Sequence, residues 1–156
     1  MNKEFLGEII IENQDCFYRV AKTILRDDND CKDAISQMIV KAFEKIHTLK
    51  KDEYAKTWLT RILINECYSL LRIQNRLCTV EQCDINDDIN YDNYTYVYEA
   101  INNLPEKLRI CVTLYYIEGF SIKEIAKMLD TTESAVKKRL VRARAGLKLE
   151  IEGGNA

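Results

Sequence analysis

The residues from Ser121 to Lys148 combine two short helical patterns with a concentration of positive charge. The second pattern has no acidic residue between Ser134 and Lys148, and it carries six cations: Lys137, Lys138, Arg139, Arg142, Arg144 and Lys148. Such side chains neutralise phosphates and pair with the O6 and N7 atoms of guanine in the major groove. The chemistry that these residues offer is recognition of nucleic acid.

The pattern around these cations predicts a helix-turn-helix. Ser121 and Glu124 have the spacing of a reciprocal helix cap, and an apolar stripe follows at Ile122, Ile125, Ala126 and Leu129. Turn residues 130–133 come next, and Thr132 or Ser134 can cap the second helix. That helix has an apolar face at Val136, Leu140, Ala143 and Leu147. Because this motif places its second helix in the major groove, the pattern favours a DNA-binding domain.

Helical periodicity also fills the first half of the chain. The apolar residues from Phe5 to Ile24 predict one long amphipathic helix that ends near Arg26. A second helix runs from Ala34 to Ile46, and a third, capped by Asp52, runs through Trp58 to Leu71. Three or four such helices form a compact bundle.

Between the two halves, residues 79–93 lack periodicity. They contain no Lys or Arg, and they carry the acids Glu81, Asp84, Asp87, Asp88 and Asp92, which is typical of a linker. Helical patterns resume at Tyr94, with Pro105 opening a helix that Gly119 ends. We therefore predict an all-α fold with two small helical domains, 1–78 and 94–156, joined by an acidic flexible linker over 79–93.

Composition excludes several other classes of protein. The six cysteines form no Cys-x-x-Cys pair and His47 is the single histidine, so we expect no metal and no cofactor. The sequence shows neither a nucleophile–base–acid pattern nor a Gly-rich phosphate-binding loop, so we expect no enzymatic activity. No apolar run reaches the roughly 18–20 residues that span a bilayer, and the N-terminus lacks a signal-peptide core. A cytoplasmic protein is expected.

Three blocks of the sequence resemble the sigma-70 family of bacterial RNA polymerase sigma factors. Residues 104–144, including Leu104-Pro105, Glu118-Gly119-Phe120-Ser121 and Arg142-Ala143-Arg144, resemble region 4 of that family. Residues 30–37 look like region 2.2, and residues 58–72, from Trp58-Leu59-Thr60-Arg61 to Leu71-Arg72, look like regions 2.3 and 2.4. The order of the blocks and the two-domain length are similar to the extracytoplasmic-function (ECF) group.

The resemblance implies a function and partners. Such proteins bind core RNA polymerase through its β′ coiled coil and β flap, direct it to promoter DNA, help to melt the duplex and start transcription. Members of the group are commonly held inactive by an anti-sigma factor, which is often bound to the membrane. No small-molecule substrate is implied.

The resemblance also implies three sets of site residues. The residues implied to contact core polymerase are Asp30, Asp33 and Gln37. The family usually has Gln-Glu where Ser36-Gln37 stands here. The alternative roles are a helix cap for Asp30 and a solvated acid for Asp33. The single-stranded −10 element falls on the loop between the second and third predicted helices and on the helix after it: Leu49, Lys50, Lys51, Tyr54, Arg61 and Asn65. The duplex −35 element falls on Thr132, Ser134, Lys137, Lys138, Val141 and Arg142.

Two questions stay open from the residues alone. Arg139 and Arg144 are either contacts to the DNA backbone or part of a solvated face. A two-domain helix-turn-helix regulator that acts without replacing a sigma factor is the alternative function, because repressors and activators share this motif.

Overall fold

A computed structural model describes residues 1–77 and 95–154 of the chain. They belong to two compact units, called here the N-terminal unit (1–77) and the C-terminal unit (95–154). Helices dominate both, and neither described range contains a β-strand. The predicted all-α class with two helical domains is confirmed. The predicted linker, 79–93, lies outside the described residues, and the domain boundaries remain predictions.

Four helices form the N-terminal unit: α1 (Lys3–Glu12), α2 (Gln14–Leu25), α3 (Asp28–Glu44) and α4 (Ala55–Leu77). Two short 3₁₀ turns, Ile46–Thr48 and Asp52–Tyr54, connect α3 to α4. The largest fully buried side chains include Leu6, Phe17, Met38, Leu59 and Leu63, which bring all four helices into one core. Burial of each such side chain contributes about 1.5–3 kcal/mol.

The prediction of one long N-terminal helix is wrong. The helix breaks at Asn13, which ends α1, precedes α2 and has φ −110° and ψ 16°. Its side-chain amide donates to the Ile9 carbonyl at 2.8 Å, which shows how Asn competes with the helical ladder. The break changes which residues are buried: Leu6 is fully buried, whereas Phe5 is 40% exposed.

The loop after α3 also differs from the prediction. Asp52 lies in the second 3₁₀ turn and α4 begins three residues later, at Ala55. The predicted Asp52 cap of this helix is therefore wrong. The extra turn places Tyr54 directly before α4, where the residue is 52% exposed.

The C-terminal unit contains α5 (Thr95–Asn102), α6 (Glu106–Val112), a π-helical segment (Thr113–Ile117), α7 (Ile122–Met128) and α8 (Glu133–Gly154). Its core joins α5, α6 and α8 through Ile101, Leu104, Val112 and Ala143. Arg109 is buried and donates to the carbonyls of Asn102 and Leu104, both at 3.3 Å. A buried cation thereby satisfies carbonyl groups at the end of α5.

Four thiols are buried in the described residues, those of Cys16, Cys31, Cys67 and Cys111. Desolvation by burial raises the pKa of Cys31 to about 12 and also raises the pKa values of Cys67 and Cys111. These cysteines act as small apolar side chains, as their helical positions predict. Among the described helices, none is long and apolar enough to cross a membrane.

Candidate nucleic-acid interface

The helix-turn-helix of the C-terminal unit is assembled by local hydrogen bonds. The Ser121 side chain accepts from the Glu124 amide, and the Glu124 carboxylate accepts from the Ser121 amide, both at 3.1 Å. This reciprocal cap confirms the prediction for the start of α7. Thr132 caps α8, because its hydroxyl accepts from the Ala135 amide at 3.1 Å, and Ser134 lies inside the helix.

The turn between the two helices depends on Asp130. This residue has φ 52°, in the left-handed region that Asp and Asn tolerate better than other non-glycine residues. The Thr131 amide donates to the Ala126 carbonyl at 2.9 Å and the Asp130 amide to the Lys127 carbonyl at 3.4 Å. This pair of bonds is the Schellman arrangement that ends a helix.

Helix α8 has the two faces that its sequence predicts. Val136, Leu140 and Ala143 are buried against the rest of the unit. All six residues predicted for the −35 duplex are exposed on the other side or at the start of the helix: Thr132, Ser134, Lys137, Lys138, Val141 and Arg142. Val141 is 60% exposed, which makes it an apolar contact surface surrounded by cations.

The two arginines left open by the sequence lie in different environments. Arg139 is half-buried and hydrogen-bonds to the thiol of Cys111 on α6, so it ties α8 to its own unit. Arg144 is exposed, and its Nε donates to the Tyr116 hydroxyl at 2.5 Å. Its guanidinium carbon lies 5.7 Å from the centroid of the Tyr116 ring.

In the N-terminal unit, the loop before α4 presents the residues predicted for single-stranded DNA. Lys50, Lys51 and Tyr54 are exposed, and Leu49 is half-buried. The Lys51 Nζ lies 5.9 Å from the centroid of the Tyr54 ring, at the outer limit of a cation–π contact. An aromatic ring beside a cation is the combination that binds unpaired bases and their phosphates.

Helix α4 continues this surface. Arg61 and Asn65 are exposed one turn apart, and therefore lie on the same face of the helix. Arg72 is also exposed, seven residues from Asn65, and donates to the Ser69 hydroxyl at 3.2 Å. Trp58 is half-buried.

The residues predicted to contact polymerase divide into two kinds. Asp33 and Gln37 are exposed one turn apart on α3. Asp30 is half-buried, and its carboxylate accepts from the Gln74 side chain on α4 at 2.6 Å. The alternative role of Asp30 as a helix cap is wrong, because Asp27 is the residue whose side chain caps α3.

A second polar contact holds the start of α3. The carboxylate of Asp28 pairs with Lys22 at 2.6 Å and accepts from the Tyr18 hydroxyl, both on α2. These hydrogen bonds, that from Lys22 first, lower the pKa of Asp28. The hydrogen bond to Asp28, with partial burial, raises the pKa of Tyr18 to about 12. Asp28 is thus engaged by α2 and Asp30 by α4, while Asp33 is exposed.

Comparison with known families matches both units. Residues 9–77 match the model described as Sigma-70 region 2, and residues 94–147 match the model described as Sigma-70, region 4. The two matches together span most of the chain, in the family's order. The chain belongs to the sigma-70 family of RNA polymerase sigma factors.

Similar proteins include other sigma factors, one of them named as a member of the ECF group. The chain is 26% identical over 154 residues to the RNA polymerase sigma factor SigV of Bacillus subtilis, covering 96% of this chain and 92% of the relative. It is 29% identical over 143 residues to the ECF RNA polymerase sigma-E factor of Haemophilus influenzae, covering 80% and 76%. The protein is thus a sigma factor, which binds core RNA polymerase and promoter DNA. The alternative of a regulator that does not replace sigma gains no support.

A solved structure shares the fold. The sigma factor RpoE of Bartonella quintana, determined in complex with the anti-sigma factor NepR, has a TM-score of 0.80 and 22% sequence identity, covering 97% of this chain and 98% of that one. In the sigma-factor framework, α3, the loop after it and α4 belong to the region 2 match, and the helix-turn-helix belongs to the region 4 match.

Proposed function

We propose that this sigma factor uses three separate surfaces, one for polymerase and two for promoter DNA. The −35 duplex contacts Thr132, Ser134, Lys137, Lys138, Val141 and Arg142. The single-stranded −10 element contacts Leu49, Lys50, Lys51, Tyr54, Arg61 and Asn65. The observation that carries the proposal is the exposed cationic face of α8, which stands opposite the buried face through which the helix packs.

Reading of the duplex follows from the side chains on α8. Lys138 and Arg142 suit the O6 and N7 acceptors of guanine, and exposed Val141 suits the methyl group of thymine. Thr132 and Ser134, at the start of the helix, suit a phosphate, because helix N-termini bind anions.

Capture of the unpaired strand follows from the loop before α4. Turning a base out of the stack costs a few kcal/mol, and stacking on an aromatic side chain recovers about 1–3 kcal/mol per base. Tyr54 supplies the ring in this mechanism. Lys50, Lys51 and Arg61 supply charge for the adjacent phosphates, and Asn65 supplies a donor and an acceptor for a base edge.

Contact with core polymerase is assigned to Asp33 and Gln37 on α3, which present an acid and an amide suited to the β′ coiled coil. Asp30 acts through the packing of α3 on α4, since its carboxylate is held by Gln74. The β flap is the second polymerase contact. The protein itself performs no catalysis in this scheme, and it works in the cytoplasm with the polymerase.

Regulation by an anti-sigma factor is part of the proposal. The Bartonella quintana sigma factor with the same fold was solved with such a partner. A protein that covers Asp33, Gln37 and the face of α8 blocks polymerase and promoter together.

Run-off transcription tests the function. Purified chain and core polymerase are mixed with promoter fragments from the chain's own genome, and 5′ ends are sequenced. We expect transcripts with defined start sites that require both proteins. A regulator of the alternative kind binds DNA without polymerase and acts on a holoenzyme that another sigma factor has formed. Absence of any transcript above the core-only background would exclude the sigma function.

A further inference from the structure

Arg144 and Tyr116 form a surface pair that the three proposed contact sets leave unused. Arg144 is exposed on α8, and Tyr116, on the π-helical segment, is 52% exposed. The Arg144 Nε donates to the Tyr116 hydroxyl, and the guanidinium also lies 5.7 Å from the centroid of the same ring. One tyrosine therefore contacts one arginine in two ways.

Tyr116 is itself held in place. Its ring meets that of Tyr115 edge to face, with centroids 4.9 Å apart and an angle of 88° between the planes. Tyr115 is half-buried, so its contact attaches the exposed ring of Tyr116 to the packed part of the C-terminal unit. This arrangement restricts the guanidinium of an otherwise long and mobile side chain, which lowers the entropy lost when it binds a ligand.

The geometry of the guanidinium defines what it can bind. Because Nε is used by Tyr116, the outer edge formed by the two Nη atoms remains for another acceptor. That edge donates two parallel hydrogen bonds, which match two oxygens of a phosphate. The Tyr116 hydroxyl accepts from the Arg144 Nε and so fixes the direction in which this edge points.

The position of Arg144 along α8 indicates which phosphate. Arg144 is eleven residues from the start of α8 at Glu133, a distance of about 16 Å at about 1.5 Å per residue. Arg144 lies two positions beyond Arg142, the last residue of α8 that we assign to a base. Its guanidinium is bound to Tyr116, which belongs to an element outside the recognition helix. Arg144 is therefore assigned to the DNA backbone at the border of the contacted bases.

We propose that Tyr116 is a positioning residue that holds Arg144 as a preformed clamp for a DNA phosphate at the border of the −35 element. This assignment rests on the proposed function of α8. It adds a sequence-independent contact to that surface and names a residue outside the helix-turn-helix that controls it.

The test measures promoter binding by holoenzyme reconstituted from the full chain and core polymerase, at several salt concentrations. For Arg144→Ala we expect affinity to fall about tenfold and the salt slope to decrease by about one, since one phosphate contact is lost. Arg144→Ala should weaken binding by the same factor at promoters with altered −35 sequences, because the contact does not read the bases. Lys107→Ala is the matched control, because it removes one exposed charge from α6 and should leave the slope unchanged.

Two further variants isolate the role of Tyr116. Tyr116→Phe keeps the ring and removes the acceptor, and we expect about threefold weaker binding with the salt slope retained, which corresponds to the loss of one hydrogen bond. The variant should have no further effect when Arg144 is already alanine. Arg144→Lys should behave like Tyr116→Phe, because it keeps the charge and loses the planar group.

Three results would overturn the clamp. They are an unchanged salt slope for Arg144→Ala, a loss confined to one −35 sequence, and full additivity of Tyr116→Phe with Arg144→Ala. Measurements below the melting temperature of every variant exclude simple unfolding, and an effect of Tyr116→Phe on melting alone would also refute the proposal. Failure of the unaltered holoenzyme to bind any promoter would instead remove the proposed function, and the clamp with it.

Discussion

Exposure separates the charged residues of this sigma factor into those that we propose to bind partners and those that hold the fold. On α8, Lys138 and Arg142 are exposed, whereas Arg139 is half-buried against Cys111. On α3, Asp33 is exposed, whereas Asp30 bonds to Gln74. Side chains of the same type and close spacing therefore have different roles, and substitutions can distinguish them.

The first prediction concerns direct reading of the −35 element. Lys138→Ala or Arg142→Ala should reduce run-off transcription from a promoter with a strong −35 element. A good bidentate contact to guanine is worth about 1–3 kcal/mol, which corresponds to a loss of promoter affinity of roughly 5- to 150-fold. A promoter without a −35 match is the control, and from it the variants should give as much transcript as the unaltered protein. A variant that transcribes as strongly as the unaltered protein from both promoters would remove the substituted residue from the site.

The second prediction concerns polymerase. Asp33→Lys should lower the affinity of the chain for core enzyme about tenfold or more, measured by fluorescence anisotropy, because it reverses a charge in the proposed contact. Its melting temperature should stay close to that of the unaltered protein, since Asp33 is exposed. Glu8→Lys is the control, because it makes the same change of charge at an exposed position of α1. Normal assembly by the Asp33 variant would show that the contact lies elsewhere.

At the scale of elements, helix ends decide the architecture. Asn13 divides the N-terminal segment into α1 and α2, and Gly119, with φ 76°, ends the π-helical segment ahead of the Ser121 cap. Asp130 sets the angle at which α8 leaves α7. Each of these residues acts through its own backbone conformation, and each is located where the direction of the chain changes.

The third prediction tests the turn of the helix-turn-helix. Asp130→Gly should raise the free energy of unfolding of the C-terminal unit by up to about 1 kcal/mol, because glycine adopts positive φ without a Cβ penalty. Asp130→Asn should be nearly neutral, and Asp130→Val should destabilise the unit by about 1–2 kcal/mol. Urea midpoints measured for the full chain provide the comparison. A valine variant as stable as the glycine variant would contradict the strained conformation.

For the whole molecule, the positive charge is local: the protein has a net negative charge, but it carries a cationic surface that suits DNA. The net charge is −2, yet α8 presents five exposed cations between residues 137 and 148, with no acid among them. A local positive surface is sufficient for phosphate binding. In the proposed function, the polymerase brings both units to one promoter.

The fourth prediction belongs to this scale. Promoter affinity of the holoenzyme should fall steeply as salt increases, because bound counterions are released from DNA. Lys137→Ala should decrease the slope of log affinity against log salt by about 0.9. Arg139→Ala removes the same charge from the half-buried side of α8, and we expect it to lower the melting temperature and leave the slope unchanged. Equal slopes for all three proteins would show that α8 does not contact phosphates.

The sequence by itself determined the helical class, the helix-turn-helix with its Ser121–Glu124 cap, the exposed face of α8 and the family. The first three depend on residues within about four positions of each other, so periodicity and capping express them directly. The family follows from the order of three separate blocks, each of which is a local pattern. Tertiary structure decided that Asp30 bonds to Gln74, that Arg139 faces Cys111 and that Tyr116 holds Arg144. Those contacts join residues 28 to 44 positions apart, and helix packing, which no local pattern records, brings them together.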